Sequence, residues 1–494
     1  MDNLTLEIHP THIKVVGAPP PLTSRLTEAF TWEDPKAKYM LRKHVEKHPT
    51  PQKWCWVCQT QGKVALYKTD TLALGFEERL LGYLQEWGIP YTVEDCRPPV
   101  PNRQYSWQYA RELRDYQQDI LDAILGHQFG IVEAATGGGK TAIAAATVCE
   151  LGVPAIVLVP TKIISGQFLD EFKTQTDIPV GQIASGKFEE APVQIAIVKS
   201  LLDPQGNVRE EYLRDKQLLI CDEFHMSASE SYEKILACCP AYYRYGFSAT
   251  PFRANDLESN MLTGIAGEVI AKVGTVDLQA EGFLCPTDIR MMPVKVRYDR
   301  AYMDEEGEWQ DTSFADRYRQ GIVENDARNA AVAEVVQKHS ARGEKVLVIA
   351  SWTDHCERLL GLLPDGTIYL SGKDTAKKTK DKAEQFRSQD GGVLLGSPVV
   401  DTGFDVPSVH CVVMAGGGSF DGRQRQRLGR GLRVAPGKDC VSVFDFIDDD
   451  RDTGGRPMFY QHSKARMKAY RDVGQKPKEY DSVEDALGTT ERLF

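Results

Sequence analysis

The chain has 494 residues, 26% charged and 42% hydrophobic, which is the balance of ordinary globular domains and room for about three of them. A net charge of −11 argues against a protein that holds nucleic acid by bulk electrostatics, and no apolar stretch approaches the roughly 18–20 residues of a membrane span. Eleven cysteines, an odd number and mostly inside apolar runs, read as reduced usage, so a cytoplasmic location is expected.

Residues 1–105 stand apart from the rest. Met1-Asp2-Asn3-Leu4-Thr5 lacks the basic and apolar regions of a secretory signal. Leu4-Thr5-Leu6-Glu7-Ile8 alternates like a strand, Pro19-Pro20-Pro21 is a breaker, and residues 76–87 read as a helix. Cys55 and Cys58 form a lone Cys-x-x-Cys without a second pair, so Trp54-Cys55-Trp56 through Tyr67 reads as a hairpin and not as a zinc site. This region is expected to be a substrate-recognition module.

Ala134-Ala135-Thr136-Gly137-Gly138-Gly139-Lys140-Thr141 is a phosphate cradle in its required context. A short apolar run, Gly130-Ile131-Val132, precedes it, and a strong helix former, Ala142-Ile143-Ala144-Ala145-Ala146, follows. Glycines let backbone N–H groups close around a β-phosphate at a helix N-terminus. Lys140 is expected to reach the β- and γ-phosphates, and the Thr141 hydroxyl to ligate Mg²⁺. Ala155-Ile156-Val157-Leu158-Val159, residues 193–198 and Leu218-Leu219-Ile220-Cys221 supply further buried strands. The last ends in Asp222-Glu223-Phe224-His225, where Asp222 is expected to hold Mg²⁺ and Glu223 to polarise the attacking water. After another short strand, the hydroxyls of Ser248 and Thr250 in Gly246-Phe247-Ser248-Ala249-Thr250-Pro251 are placed to report γ-phosphate state to the Asp222–His225 loop.

Residues 281–325 are charged and irregular, and read as a linker or insertion. A second strand set follows, at residues 345–350, 367–370, 392–395 and 409–414. Gln426, Arg430 and Arg433 lie at i, i+4 and i+7, one helix face presenting an amide and two guanidiniums suited to a triphosphate. The pattern as a whole predicts two doubly wound parallel sheets with the nucleotide between them. The tail after Asp450 carries Lys464, Arg466, Lys468 and Arg471 among aromatics and is expected to cap the second sheet.

In chain order, the segment 134–141, Val159-Pro160-Thr161, Asp222-Glu223-Phe224-His225, Ser248-Ala249-Thr250 and the segment 426–433 resemble motifs I, Ia, II, III and VI of superfamily 2 helicases. The resemblance is closest to the XPB-like branch, which includes bacteriophage branch-migration helicases. Leu113-Arg114-Asp115-Tyr116-Gln117 resembles the element whose glutamine reads the adenine edge, and Gly396-Ser397-Pro398 through Pro407 resembles motif V. Three positions depart from the pattern: Ala134 replaces the first glycine, Phe224 a commoner Ala or Val, and Ser397-Pro398 a Thr and freer backbone.

The resemblance implies an α/β fold of two tandem RecA-like domains, at 106–280 and 326–450, with a small α+β accessory domain at 1–105 and a tail, 451–494, on the second. It implies ATP and Mg²⁺ as cofactors. Lys140, Asp222, Glu223, Gln426, Arg430 and Arg433 take catalytic roles, and Thr141 and Asp222 the metal. Arg114, Gln117, Thr136, Gly137, Gly138, Gly139, Gly403 and Asp405 join Lys140 and Thr141 around the nucleotide, and His225, Ser248 and Thr250 couple. Pro160, Thr161, Lys162, Lys199, Ser200, Ser351 and Ser397 contact the DNA backbone. The implied function is an ATP-dependent DNA helicase or translocase on duplex or branched DNA, monomeric and off the membrane. The alternatives are an RNA helicase and an ATP-gated DNA-binding subunit of a restriction or defence complex.

Overall fold

The structure, a computed structural model, describes residues 4–34, 63–227, 229–250, 256–303, 308–396, 409–418, 434 and 438–488. By its contacts the chain divides into two compact units, Met1–Ala134 with Gly139–Val273, and Ala135–Gly138 with Gly274–Phe494.

The first unit opens with strands β1 (Leu4–Ile8) and β2 (His12–Val16), helix α1 (Pro20–Ala29), a ribbon of β3 (Thr31–Glu33) and β4 (Lys63–Ala65), then β5 (Thr71–Ala73), helix α2 (Glu77–Glu86) and β6 (Tyr91–Asp95). The alternation read from Leu4 to Ile8 is observed: Leu4, Leu6 and Ile8 face a core that also takes Leu22 and Leu26 of α1 and Leu80 and Leu84 of α2. The four-stranded sheet runs β5-β2-β1-β6, antiparallel except for β1 against β6.

The large sheet of this unit adds α3 (Asp115–Leu125), β7 (Phe129–Ala134), α4 (Lys140–Leu151), β8 (Ala155–Val159), α5 (Lys162–Gln175), β9 (Val180–Ala184), β10 (Lys187–Phe188), β11 (Val193–Ile197), β12 (Leu218–Asp222), α6 (Glu230–Cys238), β13 (Tyr243–Ser248), α7 (Asp256–Ala266) and β14 (Val269–Val273). Its order is β10-β9-β11-β8-β12-β13-β7-β14, parallel apart from the β10 edge. Every residue of β8, β11 and β12 is buried, as parallel strands covered on both faces must be. Helix α4 is buried without interruption from Ala142 to Cys149, which is why its alanine-rich sequence shows no polar stripe.

The N-terminal sheet, expected as a separate domain ending at residue 105, packs directly on this one within the same compact unit. Arg79 of α2 donates to Asn260 of α7 (2.6 Å) and pairs with Glu268 (2.9 Å). A β-carbon at Gly264 would lie 2.8 Å from the Phe76 ring, and one at Gly75 would lie 2.0 Å from the Thr263 carbonyl oxygen. The two surfaces interlock at glycines.

The second unit contains α8 (Thr275–Ala280), β15 (Thr287–Lys295), a ribbon of β16 (Ala301–Met303) and β17 (Trp309–Asp311), α9 (Phe314–Tyr318), α10 (Asp326–Ser340), β18 (Lys345–Ile349), α11 (Thr353–Leu360), β19 (Ile368–Leu370), α12 (Ala376–Ser388), β20 (Gly392–Gly396), β21 (Cys411–Met414), β22 (Val441–Asp449), α13 (Met458–Asp472), β23 (Lys478–Glu479) and α14 (Val483–Gly488). Its seven strands are all parallel, in the order β19-β20-β18-β21-β22-β15-β23.

The expected linker at 281–325 departs from this. Residues Thr287–Lys295 pair with β22 along their whole length, one strand in from the edge of the second sheet, with Met292 and Val294 in its core. The strand escaped sequence reading because Asp288, Arg290 and Pro293 interrupt its apolar run. The two charges neutralise one another, Arg290 Nε donating to Asp288 Oδ2 at 2.7 Å. In the tail, α13 buries Phe459, Arg466, Met467 and Tyr470 while Lys468 and Arg471 stay exposed.

Candidate nucleotide site and coupling residues

Strand β13 lies between β7 and β12, and the registers Asp222↔Phe247 and Ser248↔Glu133 bring the carboxyl ends of all three to one edge. Ligands of open parallel sheets bind at that edge. The Gly-rich loop leaves β7 there. Gly137 (φ 87°) and Gly139 (φ 77°) take the left-handed conformation that side chains resist, and Gly139 starts α4. Lys140 Nζ donates to the Ala134 carbonyl at 3.3 Å, across the mouth of the loop. Gln117 is brought to the same place: a β-carbon at Gly139 would lie 2.1 Å from its Nε2. Its Oε1 accepts the Arg114 amide at 3.1 Å, so the first turn of α3 orients it.

Asp222 ends β12 and is 5% exposed, and its Oδ1 has no hydrogen-bond partner among the described residues. Burial, with the neighbouring Glu223 charge, pushes its carboxyl well above the usual range, and the Lys140 ammonium opposes the shift. A buried acceptor without a donor, beside a lysine and a phosphate cradle, fits a divalent cation. No cluster of three or more His, Cys, Asp or Glu able to hold a metal occurs among the described residues. Mg²⁺ takes one or two protein ligands and completes its shell with phosphate and water, so Asp222 with one further ligand would be enough to hold it. Thr141, half-buried in the first turn of α4, is the other candidate ligand.

Glu223 sits at φ 50°, ψ 48°, a left-handed conformation that costs a non-glycine residue about 1–3 kcal/mol. Its Oε2 lies 3.4 Å from His225 Nδ1, which is 3.1 Å from Ser248 Oγ. Ser248 Oγ in turn accepts the Thr250 amide at 3.1 Å. The three expected coupling residues therefore form one chain ending at Glu223. Phe224, which departs from the family pattern, has a partner the sequence analysis did not identify. The ring occupies the space over Gly246, where a β-carbon would lie 2.4 Å from it. A glycine two residues before Ser248 was the available signal.

The expected track residues of the first unit share one edge, since Val159 and Ile197 are in register at the ends of β8 and β11. Thr161 caps α5, accepting the Ile164 amide at 3.4 Å, between Pro160 and an exposed Lys162. Lys199 is exposed, and Ser200 Oγ accepts the Ser185 amide at 3.2 Å. In the second unit Ser351 Oγ donates to the Gly416 carbonyl at 3.4 Å. Ser397, Gly403, Asp405, Gln426, Arg430 and Arg433 lie outside the described residues, as do Trp54, Cys55, Trp56 and Cys58. Among the described residues no helix is long and apolar enough to cross a membrane.

Two family models match the chain: the type III restriction enzyme res subunit over residues 110–253, and the helicase conserved C-terminal domain over residues 327–435. The chain is 26% identical over 397 residues to the "Putative DNA 3'-5' helicase Rad25" of Halobacterium salinarum, covering 79% of this chain and 62% of that one. It is 26% identical over 360 residues to the "DNA 3'-5' translocase XPB2" of Sulfurisphaera tokodaii, covering 65% and 79%. Among solved structures it resembles S. cerevisiae Dbp5 bound to RNA and ADP BeF3, with TM-score 0.52 and 17% identity over 84% of this chain and 97% of that one. That likeness shows the fold of two RecA-like domains. The chain spans about three-fifths of the Halobacterium relative's length.

Proposed function

We propose that this chain is a member of the XPB-like branch of the superfamily 2 helicases and an ATP-dependent DNA helicase or translocase that remodels duplex or branched DNA; the two family models and the similarity to the Rad25 and XPB2 proteins support the reading. The observation that carries the proposal is the unpartnered, buried Asp222 Oδ1 at one sheet edge with the Lys140 loop and the Glu223–His225–Ser248 chain. With ATP bound, Mg²⁺ supplies charge neutralisation at the β- and γ-phosphates. Asp222 and Thr141 would hold the ion, and Lys140, which now donates to the Ala134 carbonyl, would be in reach of the phosphate oxygens. Glu223 takes the proton of the attacking water. His225 and Ser248 report the state of Glu223 to the strand ends that carry the track. Gln426, Arg430 and Arg433 are assigned to the charge of the transition state, and Gln117, with Arg114, to the adenine edge. Pro160, Thr161, Lys162, Lys199, Ser200, Ser351 and Ser397 are assigned to the DNA backbone, which positions without reading sequence. The accessory sheet at the N-terminus is assigned to recognising the junction.

Lys140→Ala tests the nucleotide assignment. Hydrolysis should be abolished while DNA affinity stays within a few-fold, measured by steady-state ATPase and by fluorescence anisotropy with labelled duplex. Near-normal turnover in the variant would remove the basis of the proposal.

A further inference from the structure

The Gly-rich loop has a neighbour that its own strand and helix do not supply. Leu278 of α8 is fully buried, and a β-carbon at Gly138 would lie 3.4 Å from its Cδ1. That β-carbon would also lie 3.0 Å from the Ala135 carbonyl oxygen, which accepts the Gly138 amide at 3.0 Å. Leu278 therefore rests on a tight turn inside the loop, directly before Gly139 and Lys140. Ala135–Gly138 fall in the same compact unit as Gly274–Phe494, which contains α8.

A helix as short as Thr275–Ala280 is not stable by itself, so its place is set by what ties it down. Asp277 Oδ2 accepts the Gly274 amide at 2.8 Å and closes the first turn. The Leu278 carbonyl accepts the Phe283 and Leu284 amides at 2.8 and 3.0 Å, closing the last turn around Gly282 at φ 75°. Sideways, Gln279 Nε2 donates to the Cys285 carbonyl at 2.8 Å, and its Oε1 accepts Gln475 Nε2 at 2.9 Å. Gln475, itself buried, accepts the Thr287 hydroxyl at the start of β15. Beside it Val276 covers Gly474, where a β-carbon would lie 2.5 Å from Val276 Cγ2. Buried amides are costly unless their partners are met, and a satisfied set admits one register. The amide pair thus fixes where α8 sits, and Leu278 carries that placement to the loop.

We infer that Leu278 is a positioning residue for nucleotide binding, held in place by the Gln279–Gln475 amide pair: it keeps the Gly-rich loop in the turn that receives phosphate. This rests on the nucleotide role proposed for the loop. The test is equilibrium binding of a fluorescent, non-hydrolysable ATP analogue with Mg²⁺ to the full chain, beside steady-state ATPase with duplex DNA. Leu278→Ala empties the space over Gly138, and Gln475→Met breaks the amide pair without touching the loop. A loop that holds its binding shape about one-tenth of the time binds roughly 10-fold more weakly, so Kd and KM should rise by that factor. At saturating ATP, kcat should stay near wild type, because bound phosphate then holds the loop. A merely structural role would lower the thermal midpoint and move neither constant. The double variant should bind no more weakly than the weaker single, since both act through one side chain, and Leu278→Met should restore affinity by refilling the space. Wild-type Kd in either folded single variant, or multiplicative losses in the double, would overturn the inference. Should Leu278→Ala not fold, Leu278→Val takes its place and the same outcomes decide. Near-normal turnover in Lys140→Ala would remove the loop's role and this inference with it. Abolished hydrolysis there, beside wild-type affinity in Leu278→Ala, overturns the inference only.

Discussion

At the scale of single residues, Glu223 unites two demands that can be separated by substitution. Its carboxylate is assigned to the water, and its left-handed backbone carries strain. Glu223→Gln should retain Mg²⁺ and ATP binding and slow hydrolysis by orders of magnitude. Glu223→Gly should be equally inactive yet more stable than Glu223→Gln, by about 1 kcal/mol in thermal unfolding, because glycine occupies that conformation without penalty. A Gln variant that no longer binds ATP would make Glu223 structural. Asp222 gives a pH signature. Its folded pKa is raised, so between its ordinary and its raised value the folded state holds a proton that the unfolded chain has released. Stability from this group is therefore present at low pH and lost as pH rises through that interval. Without nucleotide, Asp222→Asn should gain thermal stability relative to wild type on going from acid to neutral pH, and Mg²⁺ with ATP should shrink the difference. A pH-independent difference would place the carboxyl in an ordinary environment.

At the scale of elements, the sequence encourages removal of residues 1–105 as a detachable module, and the packing of α2 on α7 changes the expected outcome. Deletion would bare the surface around Gly264 that Phe76 covers and leave Glu268 without Arg79. The truncated chain should aggregate or lose several degrees of thermal midpoint, because exposed core surface associates. The role of the N-terminal sheet is better tested within the full chain. Arg79→Ala should loosen the attachment while DNA-free ATPase remains, and any preference for forked over linear duplex should weaken. A truncation that is soluble, stable and still prefers forks would refute both the attachment and the recognition role. Phe224 and Gly246 illustrate the same scale. The residue after the two carboxylates is a core side chain seated on a glycine of β13, so the acidic loop is packed directly on the Ser248 strand.

At the scale of the whole molecule, a net charge of −11 means that a DNA grip has to come from local hydroxyls, amides and a few lysines. ATPase stimulation should therefore depend on salt only moderately, and should rank forked or branched DNA above linear duplex and both above RNA. Measuring turnover across these polymers and a salt series checks the proposal. Stimulation by RNA alone would make the chain an RNA motor. DNA-stimulated ATPase with no strand displacement or junction migration would favour a clamp of the kind found in restriction complexes.

The chemistry proposed for the candidate nucleotide site rests on local sequence requirements. A Gly-rich loop must follow a strand and open a helix, and two carboxylates must end a strand, so Gly137, Gly139, Lys140, Asp222 and Glu223 declare themselves within a few residues. The uninterrupted apolar runs of β8, β11 and β12 announced buried parallel strands for the same reason. Tertiary structure decided what depends on partners distant in the chain. The strand at Thr287–Lys295 forms only alongside β22, Thr287 pairing with Val441, and Gln117 meets Gly139 only after α3 packs beside the loop. Arg466, one of four basic residues in a tail expected to cap the second sheet, is buried because Asp445 and Asp448, 21 and 18 positions away, compensate its charge. A charge looks solvated in sequence until the fold supplies its counter-charge, and that pairing is long-range.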